Sequence, residues 1–296
     1  MSSFISQQIH KFIKNWVNLK PISNEKASLF IKKELEKITP TMIARFGSNE
    51  IKAVLYPRMN VILRILLKNR IFVPMQFNAG FFPSNKETIK NFSKLMYEDI
   101  QQLDVLGSWR IEERFLVSHF KKAVVVQLDA LEPYLQKDPW SEVLKDKKVL
   151  VIHPFNKTIE DQYYNKRELL FSDPRVLPKF KSLETIKAVQ TIADNKSDFN
   201  NWFDALDYMK GEIDKKDFDI AIIGCGAYGF PLAAHVKRIG KKAIHLGGAT
   251  QMLFGIKGKR WVDNPKFQHI INEHFVFPNE NDKINNASKV EDGCYW

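Results

Sequence analysis

Cysteine is almost missing from this chain: Cys225 and Cys294 are the only two in 296 residues. Two isolated cysteines provide neither the paired spacing of a zinc site nor a disulfide framework, so a reducing compartment is expected. Long apolar runs are missing as well, and nothing approaches the roughly 20 residues of a membrane span. The opening MSSFISQQIHKFIKNWVNL lacks the unbroken apolar core of a secretory leader, since Gln7, Gln8, His10, Lys11 and Lys14 interrupt it. A soluble cytoplasmic protein is therefore the expectation. No HExxH, GxSxG or CxxC pattern occurs, and in GIKGK no Ser or Thr follows a Gly-Lys pair, which argues against a Walker-type ATPase. Acidic residues are in deficit, 34 against 45 Lys and Arg, and the net charge of +11 favours anionic partners. No basic-aromatic module accompanies that charge, so nucleic acid is not expected among them.

What is present is a globular α/β pattern. The hydrophobic fraction is 44% and the aromatic fraction 12%, values of a chain that buries a core. Residues 1–38 read as an N-terminal helical segment: two amphipathic helices separated by Pro21. Ile5, Ile9, Phe12, Ile13, Trp16 and Val17 share one face of the first, and Ser23 is the N-cap of the second. Residues 39–278 read as a Rossmann-like domain, a mostly parallel sheet with helices on both faces, and 279–296 as a loose polar tail in which Tyr295 and Trp296 are able to dock.

Strand-like runs occur at Thr41–Phe46, Ala123–Leu128, Lys148–His153, Ser182–Val189, Phe218–Ile223 and Lys242–Leu246. Helices are expected from Ile51, over Lys86–Leu103, over Trp202–Ile213 and from near Pro231. Phe77–Pro83 reads as an aromatic loop. The segment Arg58–Arg70 (RMNVILRILLKNR) has two readings. It lies on an anionic membrane, or it is a buried helix with basic ends, the commoner arrangement.

Ligands of open α/β sheets bind beyond the carboxyl ends of the strands. Three loops are candidates for one site: Gly47–Glu50, His153–Gln162 and Gly224–Gly229. In the last, Gly224, Gly226 and Gly229 match G-x-G-x-x-G between a strand and a helix, so Gly224, Gly226, Ala227, Tyr228 and Gly229 are candidates for cradling a diphosphate. A dinucleotide would need an acidic residue about 20 positions on, where this chain has Ile244, His245 and Leu246. The alternative is that the glycines allow close strand-to-helix packing. His153 and His245 end strands and are placed for phosphate or ribose, or are satisfied buried imidazoles. Gly247-Gly248 follows the last strand. Lys257, Lys259 and Arg260 form a cationic cluster suited to a leaving diphosphate, or a solvated basic turn. Glu50 either caps a helix, holds a divalent metal, or takes a proton from an incoming hydroxyl.

Arg45-Phe46-Gly47 followed by Glu50 resembles the Arg-Phe-Gly-Asp-Gly-Glu signature of GT-D-type glycosyltransferases of bacterial surface glycans. AIIGCGAYGFPLAAHVKRIGKKAIHLGG is similar to their late strand–loop–helix–strand unit, and the resemblance extends over residues 40–262. It implies a Rossmann-like GT-D fold and transfer of a sugar from a nucleotide-diphosphate donor, UDP-linked, to a surface polysaccharide or lipid-linked precursor. The basic surface independently suits peripheral contact with an anionic membrane. Glu50, Arg45 and Ser48 would be catalytic. Gly47, His153, the glycine loop, His245, Gly247, Gly248, Lys257 and Arg260 would hold the nucleotide, and Glu50 would bind a divalent metal, Mn or Mg. Ser48 stands where the family carries Asp, and Asn49 where it carries Gly. A hydroxyl is a weaker ligand than a carboxylate for a hard cation. The substitution leaves three options: Glu112 or Glu113 replaces the Asp, Lys257 and Arg260 replace the metal, or the protein is an inactive partner. The other classes left open are a Rossmann-type NAD(P)-dependent oxidoreductase or epimerase and a non-catalytic binding protein of a polysaccharide assembly.

Overall fold

The computed structural model describes residues 19–283, 286 and 293–296; the first expected helix, with Ile5 to Val17, lies outside them. Nine α-helices are described in chain order: α1 (Asn24–Glu36), α2 (Ser48–Leu55), α3 (Val61–Phe77), α4 (Lys86–Asp99), α5 (Asn156–Leu170), α6 (Trp202–Asp214), α7 (Gly229–Arg238), α8 (Ala249–Leu253) and α9 (Lys259–Val262). The strands are β1 (Thr41–Ala44), β2 (Val105–Ser108), β3 (Val124–Gln127), β4 (Lys148–His153), β5 (Ser182–Lys187), β6 (Ile220–Ile223) and β7 (Lys242–His245). They form one seven-stranded sheet in the order β3-β2-β1-β7-β6-β4-β5. Every pairing in it is parallel. This is the Rossmann-like α/β class that the sequence pattern implies.

Parallel strands are buried on both faces, so their sequences are apolar throughout rather than alternating. IAII in β6 and VLVIH in β4 are fully buried. The pleat then sends successive residues to opposite cores. Met42 and Ala44 enter one core with residues of α2, α3, α4, α6 and α7, whereas Ile43 enters the other with residues of α1, α5 and α8. Among the described residues no helix is long and apolar enough to cross a membrane.

Helix direction creates the crevice. The helices after the four adjacent strands β1, β7, β6 and β4 are α2, α8, α7 and α5. They pack alternately on the first face, the second, the first and the second. Loops leaving neighbouring strands toward opposite faces splay apart, and the gap they leave is where such sheets bind ligands.

The structure corrects several local expectations. The run Val105–Ser108 is not an expected strand; with only Val105 and Leu106 as bulky apolar residues it is too short to show a period, yet it pairs between β1 and β3. Helix α2 begins at Ser48 rather than Ile51, whereas α7 begins at Gly229, near Pro231 as expected. Helix α3 is not the buried helix with basic ends: Val61, Ile62, Leu63, Ile65 and Leu66 are exposed, and burial starts only at Ile71. The tail is not loose where it is described. Asp282 is buried and accepts hydrogen bonds from the Thr158 backbone N–H at 3.0 Å and its hydroxyl at 2.6 Å.

Candidate functional site

The ends of β1, β4, β6 and β7 surround a cleft of about 160 Å³. Its floor and walls include Arg45, Gly47, Ser48 and Glu50 after β1, His153 at the end of β4, Gly224, Gly226 and Tyr228 after β6, His245 at the end of β7, and Gly247 and Gly248 after it. Arg260 reaches it from α9. The three loops expected to converge from sequence thus do so. Ala227, Gly229 and Lys257, also expected there, do not line the cleft. The Lys257 ammonium lies instead 5.3 Å from the Phe277 ring centroid.

The glycines of the G-x-G-x-x-G match are explained by packing rather than by approach to a phosphate. A Cβ on Gly224 would lie 2.5 Å from both the Gly247 carbonyl oxygen and the Thr250 hydroxyl. One on Gly229 would lie 2.1 Å from Cε1 of the His245 ring. Gly226 has φ +55° and sits against the Ala79 carbonyl, which accepts the Ala227 N–H at 3.3 Å. A donor just before α7 is therefore spent on the chain itself.

The cationic groups lie on the other side. Arg45 leaves β1 and lies over Gly247: a Cβ there would be 2.6 Å from its Nη1. Gly247 has φ +63°, the left-handed region, so glycine serves both the turn and this close approach. Burial lowers the Arg45 pKa; Glu50 and Tyr295 oppose that shift and the charge of Arg260 adds to it. Two guanidiniums thus face one partly desolvated space with the Glu50 carboxylate beside them. The buried Arg45 Nε–H has no hydrogen-bond partner. An anion in the cleft would relieve the repulsion and satisfy the donor. Arg260 is held by aromatic contact, 4.7 Å from the Tyr295 ring centroid, with its Nη1 3.3 Å from the Tyr295 hydroxyl.

Both histidines are buried and neutral. Burial alone depresses His153 to about 3. Burial and then the Arg45 charge depress His245 to about 3, against a hydrogen bond to the Ile223 carbonyl. Their tautomers follow from their partners. The Phe155 N–H donates to His153 Nδ1 at 3.0 Å, so the His153 proton is on Nε2. His245 Nδ1 faces the Ile223 carbonyl at 3.2 Å, which only accepts, so that proton is on Nδ1. Proton–nitrogen NMR should show opposite tautomers that do not titrate between pH 8 and about 5. A group whose folded pKa is depressed in its neutral form costs stability as pH falls below its unfolded value. Each imidazole should therefore remove about 1 kcal/mol between pH 6.5 and 5.5. Asp99, which burial raises to about 6, offsets part of that loss.

No protein family's sequence profile matches the chain, and no curated protein matches it. Among solved structures it is similar to one described as a new glycosyltransferase (DUF1792) from Streptococcus sanguinis. The TM-score there is 0.45 at 11% identity, over 89% of this chain and 96% of that one. A selenomethionine structure of the domain of unknown function 1792 gives TM-score 0.48 at 12% identity, over 92% and 95%. A third, described as that domain with a distinct glycosyltransferase fold, gives 0.46 at 12%, over 91% and 95%. At these values the likeness concerns the course of the chain alone.

The donor set around Glu50 is a poor fit for a resident divalent cation. It offers one carboxylate and the Ser48 hydroxyl beside two guanidiniums, whereas hard cations collect several oxygen ligands. Among the described residues no group of three or more His, Cys, Asp and Glu is arranged to hold a metal. The replacement carboxylates considered from sequence are engaged elsewhere. Glu112 pairs with Arg110 at 2.8 Å. Glu113 is buried, accepts from the Ser108 hydroxyl, and caps the following turn through the Trp109 and Arg110 N–H groups at 3.3 and 3.1 Å.

Several cleft residues escaped the sequence reading. Trp109, whose Nε1–H donates to the Phe46 carbonyl at 2.8 Å, follows the unrecognised β2. Asn78, Thr191 and Gln251 also line the cleft. No local motif marks them, because only tertiary packing brings them there. Tyr295 and Trp296 do dock, as the aromatic ending of the chain suggested. The Cys294 and Trp296 carbonyls accept the N–H groups of Arg260 and Lys259, at 3.0 and 3.3 Å, and so hold the start of α9 against the cleft.

Proposed function

We propose that this chain is a glycosyltransferase using a nucleotide-diphosphate sugar, UDP-linked, with a surface polysaccharide or lipid-linked precursor as acceptor. The observation that carries the reading is the Arg45–Arg260 pair over Gly247-Gly248, beside Glu50, in the crevice at the strand ends. In the transfer, the acceptor oxygen attacks the anomeric carbon and the bond from that carbon to the diphosphate oxygen breaks. The nucleoside diphosphate leaves with the electron pair, and the acceptor proton goes to the Glu50 carboxylate. The two arginines offset the charge that develops on the leaving diphosphate, the task that a metal performs in many such reactions. Trp109, Tyr295 and Trp296 supply flat apolar surfaces for a base or a sugar ring. Neutral His153 and His245 add hydrogen-bonding groups without adding charge.

Thermal-shift measurement with UDP, GDP, CDP, ADP, NAD and NADP, each with and without manganese, tests this. A shift with UDP that manganese does not enlarge is expected. A UDP shift that requires manganese would refute the arginine-only account. Stabilisation by NAD or NADP alone would replace the transferase with an oxidoreductase or epimerase, and no shift at all would favour a non-catalytic protein.

A further inference from the structure

Between Glu50 and Glu87 the chain has no acidic residue, while Lys52, Arg58, Arg64, Lys68, Arg70 and Lys86 fall in that interval. Helix α3 occupies its centre. In a helix of a water-exposed surface the outward stripe is polar; here it is not. Ile62, Ile65, Leu66 and Val73, spaced i, i+3, i+4 and i+11, share the outward face and are 71%, 73%, 66% and 55% exposed. The inward face carries Ile71, Phe72 and Met75, which are buried in the sheet's first core. Among the described residues neither the fold nor the cleft makes use of the outward aliphatic stripe.

We infer that the outward face of α3 docks on an anionic lipid bilayer and holds the enzyme at the membrane surface. The inference rests on the glycosyltransferase reading for its purpose, and it adds the surface on which that reaction takes place. Aliphatic side chains on one helical face, flanked by cations and without anions, are the composition of a helix lying in the headgroup region. The charge pattern chooses between occupants. Anionic headgroups complement Lys68 and Arg70, which are both exposed. A second copy of the same face would set like charges against one another. The far end of α3 is continuous with the cleft, since Asn78, Ala79 and Gly80 line it. A 17-residue helix is about 25 Å long, so the bilayer face and the reaction cleft are one helix length apart. That distance suits an acceptor whose head group is tethered to the membrane.

Flotation of the full chain with vesicles tests the inference, using phosphatidylcholine alone and phosphatidylcholine with about 30 mol% phosphatidylglycerol. Binding to the mixed vesicles and little to the neutral ones is expected. The triple variant Ile62→Gln, Ile65→Gln, Leu66→Gln should bind on the order of a hundredfold more weakly. Lys68→Glu and Arg70→Glu should each weaken binding at least about fivefold. All these variants should keep the parent's melting temperature and nucleotide shift. Failure of the parent to float, or equal flotation of the triple variant, overturns the inference. So does a parent dimer that the triple variant dissociates, which assigns the face to a second copy. A lower melting temperature of the triple variant in the absence of lipid overturns it too, because the face would then be covered by the chain itself. Loss of nucleotide binding bears on the transferase reading and not on this one, so the two are separated by the readout that fails.

Discussion

Glu50→Gln should lower sugar transfer by about a thousandfold, the scale on which positioned general bases act, while leaving the melting temperature unchanged. Glutamine keeps the size of the side chain that folds back against Gly47 at the start of α2, so the local packing survives. What disappears is the proton acceptor and a negative charge that opposes the lowering of the Arg45 pKa. The second effect has a separate signature. With Glu50 neutral, Arg45 and Arg260 attract a diphosphate at least as strongly as before. The UDP-induced thermal shift should therefore persist or grow while kcat collapses. A parallel loss of nucleotide binding would indicate that Glu50 holds a cation for the donor, and undiminished transfer would remove it from the chemistry altogether. Either result is readable without knowing the natural sugar, provided that hydrolysis of the donor is followed alongside transfer.

Gly229→Ala should destabilise the fold by about 3 kcal/mol or more, the cost of forcing a side chain into a packed interior. The new methyl group would lie 2.1 Å from Cε1 of the His245 ring, well inside van der Waals contact. That ring, at the end of β7, is buried and tied to the Ile223 carbonyl, so moving it out of the way costs that hydrogen bond or its packing. A loss of this size corresponds to roughly 5 °C or more in Tm for a chain of this length. Gly211→Ala is the matching control: a Cβ on Gly211 in α6 meets nothing within 4 Å. Alanine there should stabilise by about 0.5–1 kcal/mol through helix propensity. Equal melting temperatures for the two variants in a calorimetric comparison would refute the packing explanation of the glycine motif.

The contrast between these glycines shows what the sequence could and could not convey. A strand, a G-x-G-x-x-G turn and a helix were legible because strand burial and turn geometry leave local signatures. The purpose of the glycines was not, since the space beside Gly224 and Gly229 is filled by Thr250 and His245 from a neighbouring unit. Convergence of the Gly47, His153 and Gly224 loops followed from parallel strands whose carboxyl ends share one edge. Trp109 stayed hidden because β2 is too short to declare its period. Arg260 and Lys257 belong to one basic cluster in the sequence, and only the fold separates them, by placing the Lys257 ammonium over Phe277. Helix α3 misled in another way. Apolar composition reports that a residue prefers to leave water, and leaves open which apolar medium receives it.

The strand order has a consequence for how the molecule comes into being. Thr41 of β1 pairs with Lys242 of β7, and β6 stands between β7 and β4. While the chain is being made, β1, β2 and β3 emerge first and wait with an unpaired edge at β1 until β7 has been synthesised. Such long-range parallel pairing is slow, and an open strand edge is a template for association with other chains. Fragments ending before Lys242 should accordingly be the aggregation-prone form of this protein, with the central strand pair acting as the clasp that closes the sheet.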